Sequence, residues 1–336
     1  MNPTEVILTV DIEFSIAGAF TDPSRYRPVG PQAVLGSVDG HHQGLGCILR
    51  TLARHGATAT FFIETMNTTY FGLEPMGEIA RTIHQAGHDV QIHVHPCWTA
   101  FADGPYKRSP GEPPPNDACG SFDVDGLERL LRRAIAVFEA WGLPRPVALR
   151  TGGFSTSPSV YAAQARVGIP LASNVCVAVA PPQETTLQVC NGRHRFDGVL
   201  EIPTLSFDDK RVGSGEHLRP FQINAISASE MVHVMDRVHE AQVSPLVATT
   251  HAFEFFKRRG LDYEAIRPNR INQHRLERLC SHVANHPDRF RWGTFGGYAA
   301  CAKDMAEQDE RPVQGTAAHG LMRMVQNAIN DRVWWI

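Results

Sequence analysis

Val6-Ile7-Leu8-Thr9-Val10-Asp11 is an apolar, β-rich run near the start of the chain that ends on a carboxylate. Runs of the same kind recur to the far end of the sequence, separated by stretches with helical periodicity. Strands that alternate with helices are typical of α/β proteins with a parallel sheet. The predicted strands span residues 6–11, 58–64, 89–95, 147–150, 170–173, 199–203, 245–250 and 290–294.

The helical stretches indicate how the sheet closes. Apolar residues recur at i, i+3, i+4 and i+7 within 127–141 and again within 231–241, so each helix would cover a strand. About seven or eight such units favour a closed or nearly closed parallel barrel. A doubly wound open sheet is the alternative, but no G-x-G-x-x-G motif follows the first strand, so dinucleotide binding has no support.

Two segments interrupt the alternation. Residues 101–122 are rich in proline, glycine and charge and follow the third strand, which predicts a long loop over the barrel mouth, able to act as a lid. We therefore divide the chain into a barrel domain, 1–305, and a polar linker with an apolar C-terminal helix or tail, 306–336. The tail ends Val333-Trp334-Trp335-Ile336, which must be covered by its own barrel or by a second copy in a homodimer.

Composition excludes several classes of partner. The 336 residues are 43% hydrophobic and 20% charged, with a formal net charge of -3, which offers no basic face for nucleic acid or anionic lipid. No apolar run reaches the roughly 18 residues of a membrane span. The N-terminus has no leader pattern, and the seven scattered cysteines form no Cys-x-x-Cys pair, so we expect a cytosolic protein that binds a small molecule.

Acidic and imidazole side chains stand where the first and third strands end. Side chains alternate along a strand, so Asp11 and Glu13 share one face and His93 and His95 share another. In a parallel barrel, the carboxyl ends of all strands lie at the same mouth, so these two pairs of side chains are expected close together. Together a carboxylate and two imidazoles form a set of oxygen and nitrogen donors that suits catalytic Zn²⁺ or another divalent metal, with a position left for water.

Two more polar residues end strands on that mouth. Arg150 closes the fourth strand, and His251 follows the strand at 245–250. Each of these side chains has a structural alternative: the histidines can be satisfied core residues, and an arginine can simply neutralise a buried carboxylate. Their coincidence at matching strand ends favours a site.

Short motifs along residues 5–298 carry a family resemblance. None is specific alone, but their order and spacing resemble the polysaccharide deacetylase superfamily, the NodB-homology or carbohydrate esterase 4 group, in the cytosolic branch whose first motif is Asp-x-Glu. The matching segments are Thr9-Val10-Asp11-Ile12-Glu13, Ala59-Thr60-Phe61-Phe62-Ile63-Glu64, Gln91-Ile92-His93-Val94-His95-Pro96, Leu149-Arg150-Thr151-Gly152-Gly153-Phe154, Leu200-Glu201-Ile202-Pro203, Thr250-His251-Ala252-Phe253 and Thr294-Phe295-Gly296.

The resemblance implies a fold and a set of roles. The fold is a distorted (β/α)-barrel with about seven strands. Asp11 would be the catalytic base, Glu13 a metal ligand, Arg150 the residue that orients the base, and His251 the general acid. The aspartate that usually supports such a histidine has no clear counterpart here; Asp208 and Asp209 are possible.

The second motif departs from the family pattern. Its two histidines are usually four residues apart, whereas His93 and His95 are two apart. We predict that both bind the metal together with Glu13. The alternative is that one binds and that Gln91 or a residue of the 101–122 loop completes the ligand shell.

The expected function is that of a metal-dependent deacetylase. It would hydrolyse an N-acyl group, most simply N-acetyl, on a small amino sugar or related metabolite, with zinc first among Zn²⁺, Co²⁺, Ni²⁺ and Mn²⁺. Opening of a cyclic ureide is the alternative reaction. A catalytically idle barrel that binds carbohydrate is the alternative of a different class, because a fold does not specify a function.

Overall fold

The structure is a computed structural model that describes residues 2–107, 111–209 and 217–334. Its strands in these ranges are β1 (Thr4–Ile12), β2 (Ser37–Val38), β3 (His41–His42), β4 (Thr60–Glu64), β5 (Asp89–Val94), β6 (Ala148–Thr151), β7 (Leu171–Ala172), β8 (His194–Phe196), β9 (Val199–Glu201), β10 (Ser206–Asp208), β11 (Leu218–Pro220), β12 (Leu246–His251), β13 (Phe256–Arg259), β14 (Ala265–Pro268) and β15 (Phe290–Trp292).

Helices lie between most of the main strands. They are α1 (Gln32–Leu35), α2 (Leu45–Arg54), α3 (Thr68–Phe71), α4 (Glu74–Gln85), α5 (Val124–Ala140), α6 (Pro158–Val167), α7 (Ala228–Glu240), α8 (Arg270–Asn285) and α9 (Ala317–Arg332). Side chains set some of their starts: Asp123 caps α5 by accepting from the amide of Gly126, and Ser227 and Glu230 form a capping box at α7.

The sheet is a curled, mostly parallel half-barrel. Seven parallel strands follow one another in the order β12, β1, β4, β5, β6, β7, β9; β8 is added antiparallel to β9, and β15 pairs with the first residues of β1. Residues next to the β10–β11 pair span the gap between β9 and β12: the Leu205 amide donates to the Val247 carbonyl, and the Thr249 amide donates to the Phe221 carbonyl. The predicted distorted (β/α)-barrel is confirmed.

Each main strand separates two environments. In β1, Val6, Leu8 and Val10 pack in the large core between the sheet and its helices, whereas Ile7 belongs to a smaller core inside the barrel. The alternation continues to the strand ends, so the side chains in register with Ile7 on later strands also point inward. This alternation places polar residues inside the barrel mouth.

The C-terminal part contacts the barrel along its length. Gln308 exchanges backbone hydrogen bonds with Arg193, and Val313 is buried. Within α9, Arg323 is buried and pairs with Asp209 and with Glu230 of α7. Of the predicted apolar tail, Trp335 and Ile336 lie outside the described residues.

A separate feature of α9 is its exposed apolar side. Leu321, Met322, Met324, Val325 and Ile329 are all exposed although they are large and hydrophobic. In the parts of the chain that the structure describes, each helix is too short or too polar to span a bilayer.

Candidate active site

Strand register brings the predicted site residues together. Asp11 of β1 lies opposite His251 of β12, and His93 of β5 lies opposite Arg150 of β6. All four are on inward-facing positions at the carboxyl ends of their strands, as the sequence predicts. The carboxyl ends of parallel strands lie at the same edge of the sheet, so side chains from distant parts of the sequence meet there.

Glu13, His93 and His95 form a compact donor cluster. Their ligand atoms all lie within 4.8 Å of one another. The Glu13 Oε2 atom is 2.8 Å from His95 Nε2 and 3.7 Å from His93 Nε2. Tetrahedral zinc with ligand bonds of about 2.0 to 2.2 Å separates its ligand atoms by roughly 3.4 Å, so small side-chain adjustments fit this cluster to one ion.

The second nitrogen of each histidine is also engaged. His93 Nδ1 lies 2.9 Å from the backbone carbonyl oxygen of Arg150; a carbonyl only accepts, so Nδ1 carries the proton and Nε2 keeps a lone pair facing Glu13. His95 Nδ1 donates to Asp117 Oδ2 at 2.7 Å. Metal-binding histidines characteristically have a carbonyl or carboxylate on the distal nitrogen, so the residues present fit a divalent metal.

Asp117 is a site residue that the sequence analysis did not single out. It lies in the 101–122 loop, whose residues 108–110 are outside the described chain, and its second oxygen, Oδ1, accepts from the Cys97 amide. The loop therefore contributes an acid to the mouth. This acid contacts Nδ1 of His95, the nitrogen turned away from Glu13, so it supports a histidine of the cluster and does not join Glu13 and His93 on the Nε2 side.

Charge is concentrated on His95. Burial disfavours the ionised forms, but the pairing with His95 outweighs it and lowers the pKa of Glu13 well below its ordinary value. By the same balance, burial is overcome by Glu13 and Asp117, which raise the pKa of His95 well above its ordinary value. Each ring nitrogen of His95 thus faces one carboxylate, which favours the protonated imidazole. A cation bound by Nε2 would replace the proton on that nitrogen.

Asp11 is held by a buried arginine. Arg150 Nη1 donates to Asp11 Oδ1 at 2.8 Å, and both side chains are almost fully inaccessible to solvent. The guanidinium also donates to the hydroxyls of Thr9 and Ser173 at 2.8 Å and stacks on Phe62. Oδ1 of Asp11 is therefore fixed, while Oδ2 faces His251.

His251 has a carboxylate partner that the sequence analysis missed. Its Nδ1 donates to Glu254 Oε1 at 2.9 Å, and its Nε2 lies 3.7 Å from Asp11 Oδ2. Glu254 follows three residues later on a 3₁₀ turn, which brings its side chain back to the imidazole. Burial disfavours the imidazolium, but Glu254, with smaller effects from Glu13 and Asp11, raises the pKa of His251 to about 9.

Three alternatives from the sequence are corrected by these contacts. Asp208 and Asp209 are not the partners of His251, because Glu254 takes that place, and Asp209 pairs with Arg323 instead. Gln91 does not complete the ligand cluster: its amide donates to Asp89 and accepts from the backbone amides of residues 147 and 148.

Glu64 is a second buried acid behind the cluster. It accepts from the backbone amides of Met66 and Asn67 and, at 3.3 Å, from that of His95. Burial raises the pKa of this carboxyl to about 8. The hydrogen bond to the His95 amide indicates that Glu64 positions the end of β5.

A cavity of about 290 Å³ opens onto these groups. Glu13, His95 and Asp117 lie on one side of it. The remaining walls are mostly apolar or aromatic, with one arginine: Phe14, Ser15, Ile16, Ala33, Cys97, Trp98, Phe253, Arg258 and Tyr263. The cavity is at the small end of the range for ligand pockets, which is roughly 300 to 1,000 Å³.

Comparisons with known proteins address the fold. No protein-family model and no curated protein matches the chain. Among solved structures, a candidate polysaccharide deacetylase from Mycobacterium smegmatis aligns with a TM-score of 0.55 at 17% identity, covering 93% of this chain and 95% of that one. The resemblance predicted from the motifs is therefore confirmed at the level of the fold.

Two further solved structures align less closely. A family 4 carbohydrate esterase from Streptomyces lividans gives a TM-score of 0.42 at 13% identity over 87% of this chain and 93% of its own. A family 4 pseudoenzyme from Bacillus anthracis gives a TM-score of 0.41 at 11% identity over 88% of this chain and 65% of its own.

Proposed function

We propose that the protein is a metal-dependent deacetylase that hydrolyses an N-acyl group, most simply N-acetyl, on a small amino sugar or related metabolite. One observation carries the proposal. The Glu13–His93–His95 cluster, Asp11 with its arginine partner, and His251 with its carboxylate partner converge at the same strand ends, and two members of the cluster, Glu13 and His95, line the cavity.

The donor cluster supplies the electrophilic side of the reaction. Glu13, His93 and His95 would hold the cation, with zinc the first expectation and Co²⁺, Ni²⁺ or Mn²⁺ acceptable to the same donors. Such an ion, when bound, polarises an acyl carbonyl and lowers the pKa of a neighbouring water. Asp117 holds His95 in the orientation that this requires.

The protein's own acid and base account for the proton transfers. Arg150 occupies Oδ1 of Asp11, so Oδ2 is the atom able to accept a proton from the attacking water. Water oxygen bonds to the acyl carbon, and the carbon–nitrogen bond then breaks. His251 Nε2 protonates the departing nitrogen, because an amide anion is too basic to leave, and the products are a carboxylate and an amine.

The size of the cavity supports a small substrate. At about 290 Å³ it is large enough for a group the size of one sugar ring. The aromatic walls, among them Trp98, Phe253 and Tyr263, suit the apolar face of a sugar.

The test is hydrolysis by metal-stripped and reconstituted protein. Chelator-treated protein would be supplied separately with each of the four cations and incubated with N-acetylated sugars, an acetate ester and a cyclic ureide. We expect acetate and free amine in equal amounts, lost with chelator and restored by metal. Asp11→Asn is the matched inactive control.

Other outcomes would replace the proposal. Ring opening of the ureide without acetate release would identify the alternative hydrolase. Sugar binding without turnover under every metal condition would identify a carbohydrate-binding barrel.

A further inference from the structure

The β13–β14 hairpin forms one wall of the catalytic cavity. It begins directly after the 3₁₀ turn that carries Glu254, and this turn follows His251 at the end of β12. Two of its residues, Arg258 and Tyr263, line the cavity together with Glu13 and His95. The proposed reaction uses neither of them.

Arg258 is held in place at this wall. Its guanidinium stacks on the Tyr263 ring, 4.7 Å from the ring centre, and Nη1 donates to the Gly260 carbonyl at 2.7 Å. Tyr263 is buried and has a positive φ of 63°, a conformation that non-glycine residues rarely adopt. The hairpin therefore fixes the ring, and the ring fixes the guanidinium.

The charge of Arg258 is not used within the described chain. Over residues 2–107, 111–209 and 217–334, no carboxylate oxygen lies within 4 Å of this guanidinium, although the side chain is exposed. Arg258 is also the one arginine or lysine among the described residues that line the cavity. Remaining guanidinium N–H groups are thus free to bind a ligand.

The acids of the cavity do not cancel this charge. Glu13 Oε2 and Asp117 Oδ2 lie 2.8 and 2.7 Å from the two ring nitrogens of His95, so neither carboxylate is directed at Arg258. The other cavity residues are uncharged. A ligand in this cavity would therefore meet Glu13 and His95 of the donor cluster and also the Arg258 guanidinium.

We propose that Arg258 binds an anionic group of the substrate, so that the protein acts on N-acylated metabolites bearing a phosphate or a carboxylate. The inference rests on the proposed function and adds a substrate class to it. A planar guanidinium binds either anion through two parallel hydrogen bonds, which a neutral sugar cannot match. Anchoring the anion at this wall leaves the acetamide group to reach the donor cluster.

The experiment compares substrates that share an acetamide but differ in charge. Wild-type protein with its metal would be assayed on N-acetylglucosamine, on its 6-phosphate and on N-acetylmuramic acid. We expect kcat/KM to be roughly 10- to 100-fold higher for at least one anionic substrate, the usual strength of a charge-assisted hydrogen bond. The phosphate and carboxylate arms identify which anion is used.

Variants separate recognition from structure. Arg258→Gln should abolish the preference, chiefly by raising KM for the anionic substrate, and should affect the neutral sugar much less. Arg259→Gln is the matched control, because Arg259 is the next residue of β13 and stacks on Trp334 instead of lining the cavity. A wild-type protein without preference, or equal losses on neutral and anionic sugars in Arg258→Gln, overturns the inference.

A binding measurement keeps this inference distinct from the proposed activity. If no sugar is deacetylated, titration calorimetry with the same three sugars still decides the role of Arg258. Tighter binding of an anionic sugar that is lost in Arg258→Gln but kept in Arg259→Gln supports an anion site in a protein with another activity. Binding that is independent of Arg258 overturns it.

Discussion

Replacing Glu254 by glutamine removes one negative charge while keeping the local packing. Glu254 Oε1 accepts from His251, Gln222 and Asn224, and Oε2 accepts from the Thr250 hydroxyl. In Glu254→Gln the amide oxygen can keep the first three bonds. The amide NH₂ then faces Thr250, whose hydroxyl can rotate and accept. The fold should therefore persist, and the change at His251 is electrostatic.

The magnitude follows from the pKa of His251. With Glu254 ionised this pKa is raised to about 9. Without the carboxylate, burial still lowers this pKa while Glu13 and Asp11 still raise it, so we take the ordinary value of about 6.5 for the variant. The protonated fraction at pH 8 then falls from about 90% to about 3%, which predicts a loss of about 30-fold in acid catalysis. At pH 5.5 both proteins are mostly protonated, so the ratio of their activities approaches one.

The assay is kcat/KM for wild type and Glu254→Gln between pH 5.5 and 8.5. An N-acetyl sugar requires a protonated leaving amine, whereas 4-nitrophenyl acetate releases a stable phenolate, so only the sugar should show the growing loss. His251→Ala should show the same substrate dependence at every pH. Glu240→Gln, which alters an exposed acid paired with Arg237, controls for net charge.

Two results would refute this reasoning. A ratio that does not change with pH would mean that Glu254 only positions the imidazole. An equal loss on the ester would mean that His251 contributes to binding and not to leaving-group protonation.

Three other variants test the site and the C-terminal helix. Asp11→Asn should retain the metal by elemental analysis while kcat falls by about 10² to 10⁴, the usual contribution of a general base; near-normal activity would exclude that role. Asp117→Asn should weaken metal affinity by about 10- to 100-fold in chelator competition, since it loses the carboxylate that orients His95; unchanged affinity would make Asp117 only a loop anchor. The exposed apolar side of α9 predicts a homodimer, so light scattering should give a dimer for the full chain and a monomer for Leu321→Glu combined with Val325→Glu; a monomeric wild type would contradict it.

The site residues that lie on strands could be predicted because side-chain direction alternates regularly along a strand. Successive side chains point to opposite faces, so one apolar strand assigns Ile7, Thr9 and Asp11 to the same side without any knowledge of its neighbours. The same rule placed His93 and His95 together. All eight predicted strands formed, with bounds that differ from the observed ones by at most two residues.

Residues outside the strands could not be assigned in this way. Asp117 contacts His95 although the two residues are 22 positions apart in the sequence. Asp208 and Asp209 were considered as partners of His251, but Glu254 is that partner. No periodicity in the sequence describes a 3₁₀ turn or the course of a loop over the barrel mouth. Their contacts depend on how the connecting backbone packs against the rest of the molecule.

The sequence by itself predicted the barrel, its inward-facing polar residues and the donor types that suggest a metal. Only the tertiary structure decided which carboxylate pairs with each histidine, that Gln91 points away from the donor cluster, and that Arg258 lines the cavity. The physical reason is range. Strand alternation is a local backbone property, whereas the contact of Asp117 with His95 depends on how distant parts of the chain pack. The contact of Glu254 with His251 spans only three residues, but it depends on a 3₁₀ turn that no sequence periodicity marks.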